Sequence, residues 1–305
     1  MHEGRVSAIL AAGLALLPSA AIAACGGHGD HDSMVVSTAW LAEHLKDPNL
    51  VMLGIGQQGE YDGGHIPRSQ FLNYPDIYLQ KSPEGLKVEL PPMERLADLF
   101  ERLGVSNGSR IVLYPLKDWN SPTARVYLTL DAMGLGARAS ILDGGLPVWQ
   151  SEGRPVTKDV PTVARGKLEP CPQADVIAKL EFVRAGMRKP GVAIVDARDP
   201  EFYTGARIPQ GQRAGHIPGS SNITFSTLVD EKGKFLPDDA IRAKFRDAGI
   251  KPDDRVVSYC HIGQQASLVY FVARYLGYDA RMYDGSWDEW SAHAELPADT
   301  GAYHR

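Results

Sequence analysis

Two apolar patterns alternate along the chain. Short β-branched runs such as Ala193-Ile194-Val195 and Val256-Val257 have the length and composition of buried strands, and the segments between them carry apolar residues at helical spacing. That alternation predicts parallel βα units, and hence an α/β fold in which a doubly wound, mostly parallel sheet is flanked by helices.

The pattern occurs twice. Gly64-His65-Ile66-Pro67 is matched by Gly215-His216-Ile217-Pro218. After each comes a helical segment, a glycine and a β-rich run: residues 96–103, Gly104 and 110–114 mirror 241–248, Gly249 and 255–259, and both runs end at a tyrosine. Each half then has a loop, an apolar helix (124–133 and 266–276) and a short segment ending in Asp143-Gly144-Gly145 or Asp284-Gly285-Ser286. Equivalent residues stay 141 to 151 positions apart, as Trp149 and Trp290 or His65 and His216 illustrate. A repeat of one domain length predicts two fused copies of one domain, over residues 34–152 and 173–300. Pro155, Pro161, Pro170 and Pro172 mark residues 153–172 as an interdomain linker. Residues 25–33, rich in Gly, His and Asp, read as a flexible tether in which His28 and His31 are at most weak metal ligands.

Composition agrees with two domains and narrows the partners. With 305 residues, 44% of them hydrophobic, the chain can bury two cores of ordinary size, since domains cluster near ~100–150 residues. The formal charge of -5 comes from 37 acidic and 32 basic residues without any run of Lys or Arg, which argues against a nucleic-acid partner.

The N-terminus reads as an export signal over residues 1–24. Arg5 precedes an apolar run at 6–17, followed by Pro18 and small residues at 19–24. No other stretch could span a bilayer. Cleavage after Ala23 fits an Ala21-x-Ala23 site and gives a periplasmic protein. Cleavage before Cys25 fits Ile22-Ala23-Ala24-Cys25, which resembles a bacterial lipobox and would make Cys25 a lipid anchor outside the cytoplasmic membrane. Both sites stay open. The three cysteines, Cys25, Cys171 and Cys260, are too few and too far apart for a disulfide framework or a zinc site. Cys171 reads as a bystander thiol, with pairing to Cys260 as the oxidised alternative.

Cys260 is the candidate for chemistry. Reactive loops of such sheets lie at the carboxyl ends of the strands, and Cys260 directly follows the run 255–259. A short loop and a helix starting near Ala266 should aim backbone N–H groups at its sulfur, a surrounding that favours anionic sulfur and thiolate attack. Gly263 suits a sharp turn in that loop. Pro115 stands at the equivalent position of the first half, which predicts a non-catalytic first domain and a catalytic second one.

Asp196-Ala197-Arg198, Gly215-His216-Ile217-Pro218-Gly219, the loop Cys260-His261-Ile262-Gly263-Gln264-Gln265 and Asp284-Gly285-Ser286-Trp287 together resemble the rhodanese family, in its tandem form with one cysteine-bearing domain. The resemblance implies a sulfurtransferase without metal or organic cofactor. In it, Cys260 takes sulfur from a small donor such as thiosulfate, holds it as a persulfide and passes it to cyanide or a thiol. The amides of His261, Ile262, Gly263, Gln264 and Gln265 would hold the anionic sulfur. Asp196, Arg198 and Trp287 are expected as structural support, and His65 and His216, present in both halves, as fold maintenance.

The chain departs from the family where the donor binds. Thiosulfate-specific relatives place cations at the second and third loop positions and mercaptopyruvate relatives usually have Gly and Ser, whereas His261 and Ile262 stand here. An arginine that two-domain relatives carry is replaced by Phe202, and Arg207 and Arg213 in the segment before His216 are the candidate substitutes. A cysteine-loop phosphatase would need an arginine where Ala266 stands, which excludes that reaction. The competing reading is an exported module that carries sulfur, senses redox state or binds a partner without turnover.

Overall fold

The computed structural model of the chain describes residues 27–83 and 85–301. The export signal and Cys25 lie outside the described residues. In the first half, strands β1 (Val35–Val36), β2 (Leu50–Gly56), β3 (Gln70–Asn73), β4 (Arg110–Pro115) and β5 (Ala139–Leu142) form a parallel sheet in the order β1-β5-β4-β2-β3. In the second, β6 (Ile177–Ala178), β7 (Val192–Asp196), β8 (Ser221–Asn222), β9 (Arg255–Tyr259) and β10 (Ala280–Tyr283) repeat that order as β6-β10-β9-β7-β8. The helices are α1 (His31–Met34), α2 (Thr38–His44), α3 (Gln58–Gly63), α4 (Met93–Arg102), α5 (Asn120–Ala132), α6 (Gly145–Ser151), α7 (Leu180–Gly186), α8 (Pro200–Tyr203), α9 (Asp238–Asp247), α10 (Ala266–Tyr275) and α11 (Ser286–Ala292).

The central strands are apolar along their length because helices cover both faces: Ile111, Val112 and Leu113 on β4 and Val256 and Val257 on β9 are fully buried. α4 is amphipathic and turns Leu96, Leu99 and Phe100 inward. α5 and α10 differ, being buried almost all round, since each packs on its own sheet and on the other. Tyr127 of α5 meets Phe271 of α10 edge to face at 4.8 Å, so one continuous apolar core joins the domains.

The repeated Gly-His-Ile-Pro motif builds the same corner twice. His65 stacks on Tyr61 at 3.6 Å and donates from Nδ1 to Tyr61 O, and His216 does the same with Tyr203 at 3.8 Å. The hydroxyls of Tyr61 and Tyr203 in turn donate to Ser69 O and Ser220 O, each at 2.6 Å. Trp149 and Trp290 also match, donating to Pro155 O and Pro297 O.

Two expectations change. From Gly27 onward the expected tether is docked. His28 bridges Asp131 (2.8 Å) and Asp175 (3.3 Å), while His31 stacks on Tyr275 and reaches Asp238 at 2.6 Å, so carboxylates occupy both ring nitrogens that a weak metal site would need. Cys171 is disulfide-bonded rather than a bystander thiol, and Cys260 is the free cysteine of the described residues. The proline-rich connection lies along the first domain. Thr157 pairs with His65, Gly166 N donates to Glu101 O, and Cys171 N donates to Met133 O.

Candidate active site

β9 ends at Tyr259 and α10 begins at Ala266, which leaves Cys260 through Gln265 as the loop between them. Gly263 holds φ at +87°, in the left-handed region that glycine alone enters cheaply. A Cβ there would meet Asp284 O and Oδ1 at 3.0 Å and Arg125 Nη1 at 3.1 Å, so the turn also brings its backbone against a polar wall. The loop carbonyls are tied down: Cys260 O accepts from Trp287 N, His261 O from Asp288 N, both at 2.9 Å, and Gly263 O from the Ser267 hydroxyl at 2.8 Å. Cys260 N donates to Ser286 Oγ at 3.2 Å.

The loop amides are the opposite case. Those of His261 through Ala266 meet no acceptor among the described residues. Pairing resumes with Ser267 N to Gln264 O and Leu268 N to Gln265 O. A run of unpaired N–H groups leading into a helix N-terminus is a surrounding for negative charge. Cys260, at the head of that loop, is fully buried, and His261, Ile262, Gln264 and Gln265 after it are half-buried.

Asp196 and Arg198 form a fully buried ion pair beside the loop. Arg198 donates to both carboxylate oxygens, at 2.6 Å from Nη2 to Oδ2 and 3.0 Å from Nε to Oδ1, and from Nη2 to Gly215 O at 2.8 Å. Burial opposes the guanidinium charge, but Asp196 outweighs it and holds the arginine protonated. Arg198 lies 4.8 Å over the ring of Trp287, whose indole N–H donates to Arg213 O. Burial, and after it the Arg198 charge, push His261 down to a pKa of about 4, so its ring is neutral at neutral pH and supplies no cation.

The two substitute cations part company. Arg207 sits 4.7 Å over Phe202, whose ring meets His261 edge-on at 4.6 Å; it also pairs with Glu201 at 2.8 Å and remains largely exposed. Arg213 is committed elsewhere: its guanidinium donates to Ser291 O, Leu296 O and Trp290 O and so closes the end of α11. A cation not anticipated is Lys87 of the first domain, 3.8 Å from Asp288, the residue that binds the His261 carbonyl. A neighbouring interdomain cleft of about 500 Å³ lacks Cys260 and is lined by Glu89, Glu181 and Glu289, which ill suits an anionic donor.

Sequence reasoning also missed Arg125. It stands fully buried in α5 and donates to Asp284 Oδ1 at 2.6 Å and to Val88 O. The available signal was an arginine next to the apolar run 126–130 of a helix expected to be buried, since buried arginines are almost always paired.

Comparison with known proteins decides the family. A profile of the rhodanese-like domain matches residues 37–152 and again 180–293. The chain belongs to the rhodanese family. It is a tandem-domain, rhodanese-type transferase, and at the level of the family the activity is sulfur transfer. It is 33% identical over 290 residues to Sulfur carrier protein TtuD of Thermus thermophilus, covering 89% of this chain and 98% of that one. It is 30% identical over 268 residues to the Thiosulfate sulfurtransferase of Azotobacter vinelandii, covering 87% and 97%. Among solved structures, the 3-mercaptopyruvate sulfotransferase SseA from Escherichia coli superposes with a TM-score of 0.74 and 27% identity, covering 84% of this chain and 99% of that one.

Proposed function

We propose that Cys260 is the sulfur-carrying nucleophile of a thiosulfate-type sulfurtransferase. The Cys260 thiolate attacks the outer sulfur of thiosulfate; the donor's S–S bond breaks, sulfite leaves, and sulfur stays as Cys260–S–S⁻. Cyanide or a thiol then attacks the outer sulfur and the thiolate is restored. The observation that carries this reading is the free cysteine at a strand end, followed by a loop whose amides have no acceptor among the described residues. Those N–H groups suit the persulfide anion, whose charge sits on a sulfur one atom farther from the backbone than in the bare thiolate. Arg207 and Lys87 supply positive charge at the rim, where the loop itself has none at neutral pH.

Thiocyanate formation from cyanide, measured separately with thiosulfate and with 3-mercaptopyruvate, tests the proposal. Turnover with thiosulfate that disappears in Cys260→Ser is expected. A persulfide without turnover would favour the carrier reading, which the likeness to a protein named as a sulfur carrier supports. We also propose that the protein is exported, as periplasmic protein or lipoprotein; Arg5, the run 6–17 and the small residues before Cys25 support this. A disulfide at Cys171 suits an oxidising compartment and favours the periplasmic form, because Cys260 is free and a lipid-bearing Cys25 would have no thiol left to pair. Cell fractionation and the mass of the mature N-terminus decide between the forms.

A further inference from the structure

The first domain, read from sequence as a non-catalytic wall, places a buried cation against the reactive loop. Arg125 Nη1 lies 2.6 Å from Asp284 Oδ1, 3.5 Å from Gly263 O and 3.6 Å from Met282 Sδ, and Nη2 reaches Val88 O. Its Nε is buried with no partner. Part of the pairing is a general interdomain clasp. Asp284 also accepts from Leu90 N at 3.1 Å, and its counterpart Asp143 accepts from Phe235 N at 2.9 Å, so each domain's aspartate holds the other domain's hairpin.

The arginine breaks that symmetry. Counting back equally from the glycines that close the two equivalent helices, Gly134 and Gly277, the position of Arg125 is taken in the second domain by Leu268. A guanidinium needed only to clasp the domains would be expected twice. It occurs only on the side that faces the cysteine, while the side that faces Pro115 has a hydrocarbon.

We propose that Arg125 is a positioning residue for sulfur transfer: by holding Asp284 and the Gly263 turn, its charge biases Cys260 toward the anionic forms that the reaction uses. This deepens the persulfide reading and rests on it. Burial disfavours the Arg125 charge, Asp284 restores it, and Cys260 is among the further groups that interact with it. Other charged or titratable groups around the loop are Tyr74 after β3, Asp196 at the end of β7 and Arg198 beyond it, Arg207, Tyr259 on β9, His261, Asp288 on α11 and Lys87 of the first domain. Tyr74 is buried, has no partner for its hydroxyl and is held protonated by burial.

The test is the thiolate absorbance of Cys260 across pH, taken as the difference between each variant and the same variant carrying Cys260→Ser. Arg125→Met should raise the midpoint, since it removes a positive charge held against the loop that carries Cys260. Asp284→Asn should lower it, because the same arginine then acts with less of its charge offset. Arg125→Lys should stay near wild type. A merely structural tie is lost in both of the first two variants and would shift them the same way. Shifts in the same direction, or none in either, overturn the proposal. Should Arg125→Met fail to fold, Asp284→Asn decides alone: a lowered midpoint supports the proposal, a raised or unmoved one removes it. Because this titration needs no sulfur donor, its failure is separate from a failure to form the persulfide.

Discussion

Replacing Gly263 by alanine tests how tightly the reactive turn is built. At φ +87° an L residue costs about 1 kcal/mol relative to glycine. The new methyl would also stand 3.0 Å from Asp284 O and Oδ1 and 3.1 Å from Arg125 Nη1. None of these neighbours yields easily, because the Asp284–Arg125 pair is closed at 2.6 Å, with the arginine fully buried and the aspartate nearly so. Overpacking of that kind adds about 1–2 kcal/mol, for a total of about 2–3 kcal/mol and a fall in Tm of about 5–10 °C. Gly277→Ala is the control: φ is +89° and nothing lies within 4 Å of the added methyl, so only the backbone cost of about 1 kcal/mol applies. Calorimetry of both variants isolates the crowding. Because a displaced loop also misaligns the nucleophile, the rate of sulfur uptake by Gly263→Ala should fall about tenfold or more. Equal Tm losses in the two variants, with sulfur uptake undiminished, would refute the reasoning.

Other consequences follow from the same geometry. Asp196→Ala strands the Arg198 charge in the core and should cost about 3–5 kcal/mol, read as a large drop in Tm or in soluble yield. With His261 neutral above about pH 4, the pH profiles of wild type and His261→Ala should coincide in shape between about pH 6 and pH 9; an inflection near pH 6.5 present only in wild type contradicts this. Arg207→Ala and Lys87→Ala should raise the KM for thiosulfate a few-fold and less so at high salt, whereas Arg213→Ala should lower Tm with KM little changed. Hydrogen bonding to Asp131 raises the pKa of His28, so its contribution is complete below the unfolded-state pKa and is lost as pH rises through the folded one. His28→Ala should therefore lower Tm at about pH 5.5 by more than at about pH 9, the difference being about 0.5–1 kcal/mol for this partly exposed pair.

What the sequence revealed depended on how local the signal was. The repeat, the strand order's βα basis and the placing of Cys260 after β9 all come from short windows with clear periodicity, and a cysteine against a proline at equivalent positions separates the two domains. Contacts between distant residues left no such trace. The Arg125–Asp284 pair joins positions 159 residues apart, and His31 reaches Asp238 across 207. A Gly-, His- and Asp-rich stretch has the composition of a tether, yet His28 finds carboxylates on both sides of the domain seam and is held. Arg213 shows the same limit for loops. Its position near Gly215-His216 suggested the donor site, but the free carbonyls at the end of α11 claim its guanidinium.

The central claim concerns one sulfur atom, and intact-protein and peptide mass spectrometry after brief treatment with thiosulfate addresses it most directly. Wild type should gain ~32 Da on the peptide that contains Cys260, lose it again on addition of cyanide, and show neither change as Cys260→Ser. An unmodified Cys260 peptide in protein that still turns thiosulfate over would contradict the account.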